Sequence, residues 1–324
     1  MNERNFKLSI IIPVYNSEKT IGFLVEKLVE ILKEYNFEIV LINDCGCDKT
    51  HEICLQKFKT YPEFVRYFKL SRNFGEHNAV IAGLNQAVGD YAIIIDDDFQ
   101  NPPEEVPRII EYMLENKFDV LYTYYEEKKH SWFRNIGSMF NDRIATFLLK
   151  KPKDLYLSSF KCINRFLIEE IIKYRGPYPY IDGLILRITR NIGRILVCHR
   201  DRAVGKSSYN LTKLVSLWIN MFVNFSVIPL RISVFIGSGL TIFGFLMILY
   251  FLLELFILKP QSNWPPGWAS LIVCVITFSG AQLLSLGLIG EYLGKLFLTD
   301  NGTPQFVIRE RYEKVNQNED IHTI

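Results

Sequence analysis

Four short apolar runs mark the first hundred residues: Leu8–Ile12, Glu38–Ile42, Val65–Leu70 and Tyr91–Ile95. Each is bounded by polar or glycine-rich turns, which predicts strands buried within a sheet. Between them, Glu18–Glu34, Asp48–Lys59, Gly75–Val88 and Pro102–Asn116 carry longer amphipathic patterns that predict helices. Pro102 and Pro103 stand where a helix begins, and there the missing N–H has no intrahelical partner to lose. The strand–helix alternation implies an α/β fold with a mostly parallel, doubly wound sheet. Ligands of such sheets bind beyond the carboxyl ends of the strands. That rule brings Tyr15-Asn16, Asn43-Asp44, Ser71-Arg72-Asn73 and Asp96–Asp98 to one rim. Farther on, Val120–Tyr124 and Ile195–His199 read as strands, and Trp132–Leu149 and Phe166–Tyr174 as helices.

The pattern then changes. Leu211, Leu214, Val215, Trp218, Met221, Phe222 and Phe225 recur at helical spacing, opposite a stripe of Lys213, Ser216, Asn220 and Asn224. Such a helix suits a membrane interface. Ile232–Leu253 and Ala269–Gly290 are uncharged stretches of 22 residues each, long enough to cross about 30 Å of hydrocarbon. Pro260, Trp264, Pro265, Pro266 and Trp268 lie between them and suit a short interfacial turn. Lys213 and Arg231 precede the first stretch, and Lys295, Arg309 and Arg311 follow the second. The positive-inside rule then places both ends in the cytoplasm, as an inner-membrane protein with two spans.

Composition sharpens this division. The 324 residues are 49% hydrophobic and 22% charged, with a net charge of +2. Within Ile232–Gly290 the only charged residues are Glu254 and Lys259, so an ordinary soluble part adjoins a lipid-soluble one. The near-neutral balance gives no case for nucleic-acid binding. Six cysteines are too few for a disulfide scaffold. Leu8–Val14 is short and interrupted by Ser9 and Pro13, unlike a signal peptide. Cys45, Cys47, His51 and Cys54 form a cluster whose spacing fits no standard zinc site.

The strongest chemical signal is Asp96-Asp97-Asp98, followed by Phe99-Gln100-Asn101-Pro102. In an extended segment Asp96, Asp98 and Gln100 share a face and Asp97 points away. Hard oxygen ligands of this kind suit Mg²⁺ or Mn²⁺, and a divalent ion bridging a diphosphate makes it a better leaving group. An acidic turn capping the next helix is the plainer alternative. Gly205-Lys206-Ser207 is not a phosphate loop, because Arg200 stands where its first glycine is required.

The motifs Ile11-Ile12-Pro13-Val14-Tyr15-Asn16, Asn43-Asp44, Ser71-Arg72-Asn73-Phe74-Gly75 and Asp96-x-Asp98-x-Gln100-Asn101-Pro102, in that order, resemble family 2 glycosyltransferases of GT-A fold. Arg202-x-x-Gly205-Lys206-Ser207-x-Tyr209 and Gly290-Glu291-Tyr292-Leu293-Gly294 narrow the resemblance to bacterial polyprenyl-phosphate glycosyltransferases, a group similar to dolichyl-phosphate mannose synthase. It covers about Leu8–Val307. The resemblance implies a UDP- or GDP-linked sugar donor held by Pro13, Tyr15, Asp44, Asp96, Asp97, Asp98, Arg202 and Lys206. It implies Mg²⁺ or Mn²⁺ on Asp96, Asp98 and Gln100, and Asp96, Asp98 and Arg202 as the catalytic set. Lys128, Lys129, Arg134, Ser159 and Lys161 are the candidates for the acceptor phosphate of undecaprenyl phosphate. The product would be a lipid-linked sugar for cell-envelope glycans.

Three departures stand out. Ser17 replaces a usual Glu, and Cys45-Gly46 replaces a commoner Gly-Ser. Ser158-Ser159-Phe160-Lys161 replaces a Gly-Asp-Phe-Arg whose Asp has been proposed as a base. A phosphate acceptor with a second pKa of about 6 is already largely dianionic and needs no base. Two alternatives remain at this point: a processive polysaccharide synthase, and a catalytically silent membrane scaffold that still binds nucleotide. The sequence leaves a homo-oligomer open. The expected organisation is a glycosyltransferase domain over 1–210, an amphipathic helix over 211–230, a two-helix hairpin over 231–292 and a C-terminal tail over 293–324.

Overall fold

The computed structural model describes residues 6–125, 151–152, 155–198, 228–253 and 267–314. The chain divides into two units, Met1–Tyr209 with Gly302–Ile324, and Asn210–Asn301.

The first unit is built on one eight-stranded sheet. Its strands are β1 (Lys7–Val14), β2 (Asn36–Asn43), β3 (Val65–Leu70), β4 (Tyr91–Ile94), β5 (Val120–Tyr124), β6 (Lys161–Asn164), β7 (Ile192–Leu196) and β8 (Ile308–Tyr312). Their order across the sheet is β7-β5-β6-β4-β1-β2-β3-β8. β1 to β4 pair in parallel, as does β5 with β7, while β6 and β8 run antiparallel to their neighbours. The expected α/β sheet is thus present and mostly parallel.

Helices α1 (Ile21–Leu32), α2 (Thr50–Thr60), α3 (Glu76–Gln86) and α4 (Val106–Asn116) connect the strands, with a 3₁₀ turn at Pro103–Glu105 before α4. α1 buries Ile21, Leu24, Val25, Leu28 and Leu32, the spacing of one helical face. α3 is buried on most sides, from Asn78 to Leu84. It reaches the sheet because Gly83 has no side chain: a Cβ there would lie 2.4 Å from Ile11 Cγ2.

Three elements escape the hydrophobic pattern. β6 is four residues long, α6 (Ile181–Ile188) follows α5 (Arg165–Ile171) after a Pro- and Tyr-rich loop, and β8 carries three consecutive charged residues between Ile308 and Tyr312. β7 begins three residues before the expected Ile195. The expected separate tail over 293–324 is corrected. Residues 302–314 belong to the first unit, because β8 covers the edge of β3 that would otherwise offer unpaired backbone groups.

The second unit contains α7 (Ile228–Leu253) and α8 (Trp268–Asp300). Some side chains of both helices lie outside the described residues. Over the described ones alone, no helix is long and apolar enough to cross a membrane. The expected helices Trp132–Leu149 and Leu211–Val227 also lie outside the described residues.

Gly83→Ala tests the close approach of α3 to the sheet. Alanine normally favours a helix by about 1 kcal/mol over glycine, yet overpacking here is expected to cost about 1–3 kcal/mol. A lowered thermal midpoint is the expected result; an unchanged or raised one contradicts the packing described.

Candidate active site

The carboxyl ends of β1 to β4 form the rim of the site. Asp44 follows β2 directly, and its N–H extends the ladder to the carbonyl of Val14 at 2.9 Å. Its carboxylate turns toward the loop after β3. There Oδ1 accepts the Phe74 N–H at 2.7 Å and Oδ2 the Gly75 N–H at 2.8 Å. Gly75 has φ +90°, a conformation open to glycine, so the chain can turn both N–H groups onto one carboxylate. Burial raises the Asp44 pKa while the two N–H groups oppose the rise. Asp44 therefore shapes the Ser71–Gly75 loop.

The loop after β1 is fixed in a similar way. Asn16, at φ 54°, accepts the Cys47 N–H on Oδ1 at 2.8 Å. A Cβ on Gly46 would lie 2.6 Å from that same oxygen. Cys45 takes φ 57°, the strained left-handed position, at the place where the sequence departs from Gly. Pro13 is half-buried at the end of β1, and Tyr15 is 49% exposed, its ring open to the rim.

The three carboxylates behave differently from one another. The strand ends at Ile94, and Asp97 and Asp98 lie in a turn. The expected alternation along an extended segment is corrected here. Asp98 Oδ1 accepts the Gln100 N–H at 3.0 Å, and Phe99 takes φ 60°, so the chain folds back within two residues. Gln100 thus enters the turn through its main chain. Asp97 turns to the β1 loop, where Oδ2 accepts from the Ser17 hydroxyl and, at 3.3 Å, from the Tyr15 N–H. Burial pushes its pKa up to about 6, against the pull of these two donors. Ser17 therefore anchors the acidic turn in place of a longer acidic side chain.

Asp96 is held from the opposite side. The Ser159 hydroxyl donates to Oδ2 at 2.5 Å, and Asn101 Nδ2 donates to the same oxygen at 3.3 Å. Asn101 Oδ1 accepts in turn from the Tyr125 hydroxyl at 2.5 Å, which fixes the amide orientation. Ser159 and Asn101 are thus donors to the carboxylate beside the expected diphosphate. Asn101 and Tyr125 were not assigned roles from sequence; the only signal was the position of Asn101 inside the acidic motif.

Lys161 requires a correction. It is 3% exposed, and its ammonium is paired with Asp182 of α6 and lies 5.0 Å from the Tyr122 ring centroid. Asp182 Oδ1 also accepts the Tyr122 hydroxyl at 2.8 Å. This charge is committed internally and is not offered to an acceptor phosphate. Lys128, Lys129, Arg134, Arg202 and Lys206 lie outside the described residues. The cysteine cluster does not gather: Cys54 is buried, His51 Nδ1 meets the Tyr67 hydroxyl at 2.7 Å, and no group of three His, Cys, Asp or Glu among the described residues is arranged to hold a metal.

Residues 9–172 match the family model described as Glycosyl transferase family 2. The chain belongs to that family. It is a glycosyltransferase. It is 30% identical to an undecaprenyl-phosphate 4-deoxy-4-formamido-L-arabinose transferase of Serratia proteamaculans (strain 568), over 94% of this chain and 93% of the relative. It is likewise 30% identical to the protein of the same description from Proteus mirabilis (strain HI4320), over 98% of each chain. Among solved structures, glucosyl-3-phosphoglycerate synthase from Mycobacterium tuberculosis in complex with UDP superposes with a TM-score of 0.52 at 15% identity, covering 68% of this chain and 78% of that one. The same synthase with Mn²⁺, UDP and glucosyl-3-phosphoglycerate gives 0.52 at 16% identity, with the same coverage. At these identities the structural likeness is one of fold, and it is the fold the GT-A motifs implied.

In this glycosyltransferase, Asp44→Asn leaves one acceptor oxygen for two inward N–H groups. An unmet buried group costs about 1–3 kcal/mol. Titration with UDP and with GDP is expected to show about fivefold or greater weakening of whichever nucleotide binds; equal affinity would show that the Ser71–Gly75 loop does not need this carboxylate.

Proposed function

We propose that the enzyme transfers a single sugar from a nucleotide-sugar to undecaprenyl or another polyprenyl phosphate at the cytoplasmic face of the membrane. The observation that carries this reading is the end-to-end similarity to undecaprenyl-phosphate sugar transferases, including the segment that holds the two long uncharged stretches. Ile232–Leu253 and Ala269–Gly290 are taken as two spans, with the catalytic unit and both termini in the cytoplasm. The amphipathic stretch over 211–230 would lie in the interface and keep the site at headgroup height.

The donor set fits a divalent cation. Asp96 and Asp98 are hard oxygen ligands, and Mg²⁺ is commonly held by one or two carboxylates together with substrate phosphates. Two carboxylates at one turn are therefore of the right chemistry for Mg²⁺ or Mn²⁺ arriving with a diphosphate. When bound, the ion would offset charge on the departing nucleoside diphosphate. Asp96 is held for that task by Ser159 and Asn101, and Asp98 by the Gln100 N–H. Tyr15, Pro13 and the loop shaped by Asp44 would take the nucleoside. Arg202 and Lys206 are proposed to lie over the phosphates, and Lys128, Lys129 and Arg134 to receive the acceptor.

No general base is required. The acceptor phosphate is largely dianionic at neutral pH, its second pKa being about 6, so positioning supplies most of the catalysis. Its oxygen would attack the anomeric carbon as the nucleoside diphosphate leaves from the opposite side, and the sugar's configuration inverts. This accounts for Ser159 in a place where an acid was expected: it serves Asp96 as a hydrogen-bond donor and takes no proton from the acceptor.

The test is incubation of membranes holding the protein with a panel of nucleotide-sugars, polyprenyl phosphate and Mg²⁺ or Mn²⁺, with the lipid product identified by mass. One added sugar is expected; several would favour a processive synthase, and none across the panel would favour a silent scaffold. Asp98→Asn is expected to abolish transfer while expression and resistance to carbonate extraction persist. Near-normal turnover in that variant, or release by carbonate, would contradict the metal role and the membrane reading respectively.

A further inference from the structure

Residues 302–314 follow the last helix and rejoin the catalytic sheet. β8 lies antiparallel on β3, with Leu70 opposite Ile308 and Tyr67 opposite Tyr312. The far end of this pairing is pinned by Arg66, which donates to Glu313 Oε2 at 3.0 Å from Nε and to Glu38 Oε2 at 3.1 Å from Nη1.

The near end points at the donor rim. The carbonyl of Val307 accepts the N–H of Ser71 at 2.9 Å. Phe306 and Ile308 pack, with Phe74, on the buried cluster that includes Phe68 and Leu70. Ser71 and Phe74 belong to the loop whose other side is gripped by Asp44. That loop is therefore held from the sheet by a carboxylate and from outside by the returning chain.

Gln305 holds a second loop. The residue is 8% exposed, and its single Nε2 donates to the carbonyl of Tyr174 at 2.9 Å and to that of Gly176 at 2.8 Å. From the other direction Asn78 of α3 donates to the carbonyl of Pro177 at 3.4 Å and to that of Phe74 at 2.8 Å. The 174–177 loop leads into Tyr180, whose ring meets His77 edge-on at 5.2 Å, and into Asp182, the partner of Lys161. An apolar residue at 305 would fill the same space. An amide of the same size also donates to two loop carbonyls, which an apolar side chain cannot do.

We propose that the C-terminal strap is a positioning element of the donor site, with Gln305 as the positioning residue that fixes the 174–177 loop beside Ser71–Gly75. The strap follows the helical unit in sequence, so the donor site is complete only once the chain through residue 314 has been made. This inference rests on the donor-site reading above.

The test uses the full-length protein in detergent. Gln305→Leu keeps bulk and removes both N–H donors. Gln305→Glu keeps the shape and, when ionised, also donates nothing, so it carries the test if the leucine variant fails to fold. Binding of UDP and of GDP is measured with Mn²⁺ present, alongside donor kinetics and amide exchange. The expected result is about fivefold or greater loss of affinity for whichever nucleotide the wild type takes. Donor KM is expected to rise with kcat little changed, and exchange to quicken over 71–75 and 174–177 while β1 and β2 keep wild-type rates. Unchanged affinity and exchange would overturn the proposal, as would exchange that quickens evenly across the sheet, since that marks plain destabilisation. A wild type that binds neither nucleotide would overturn the donor-site reading itself, and the strap's role with it.

Discussion

Three adjacent carboxylates at the end of a central strand repel one another, and the architecture of the site follows from how that repulsion is relieved. Two unit charges about 4 Å apart near a protein surface cost about 4 kcal/mol, so Asp96, Asp97 and Asp98 cannot share one environment. The chain separates them. Asp97 is turned inward to Ser17 and the Tyr15 N–H, two donors that offset the burial which raises its pKa to about 6. Asp96 is tied to Ser159 and Asn101, and Asp98 to the turn it begins. Asp97 thus joins the acidic turn to the β1 loop, and Asp96 joins it to the segment before β6. One charge conflict ties three loops together, and the remaining negative potential is what a divalent cation would neutralise.

The loop after β3 is held in the same way. Asp44 gathers two N–H groups of the Ser71–Gly75 loop, and the returning chain takes a third at Ser71. Loops are ordinarily the most mobile parts of a fold, yet these are anchored by side chains that begin on neighbouring strands. Below the site, the Lys161–Asp182 pair and the Tyr122 hydroxyl join β5, β6 and α6. A buried ion pair of this kind adds little net stability, but removing one partner leaves a stranded charge. Its use here is to set the position of α6 relative to the sheet.

Much of the fold was legible because buried parallel strands are continuous apolar runs. Val65–Leu70 and Val120–Tyr124 fall where the pattern placed them, and β1, β2 and β4 differ only at their ends. β6 escaped because Lys161-Cys162-Ile163-Asn164 is short and its lysine is neutralised by a residue 21 positions away. β8 escaped because Arg309, Glu310 and Arg311 look like solvated charge, and pairing with β3 is invisible from local pattern. The position of the site was legible from the rim rule, but its details were not. The extended alternation over Asp96–Gln100 gave way to a turn, and Lys161 looked available only because Asp182 cannot be matched to it by spacing. Contacts between distant segments decided each of these points.

The division of labour among the three carboxylates is tested most directly by Mn²⁺ binding to the full-length protein, followed by electron paramagnetic resonance with UDP or GDP present. The account predicts that nucleotide-dependent Mn²⁺ binding is lost in Asp98→Asn and survives in Asp97→Asn. Binding that persists in Asp98→Asn, or that depends on Asp97 as strongly as on Asp98, would contradict it.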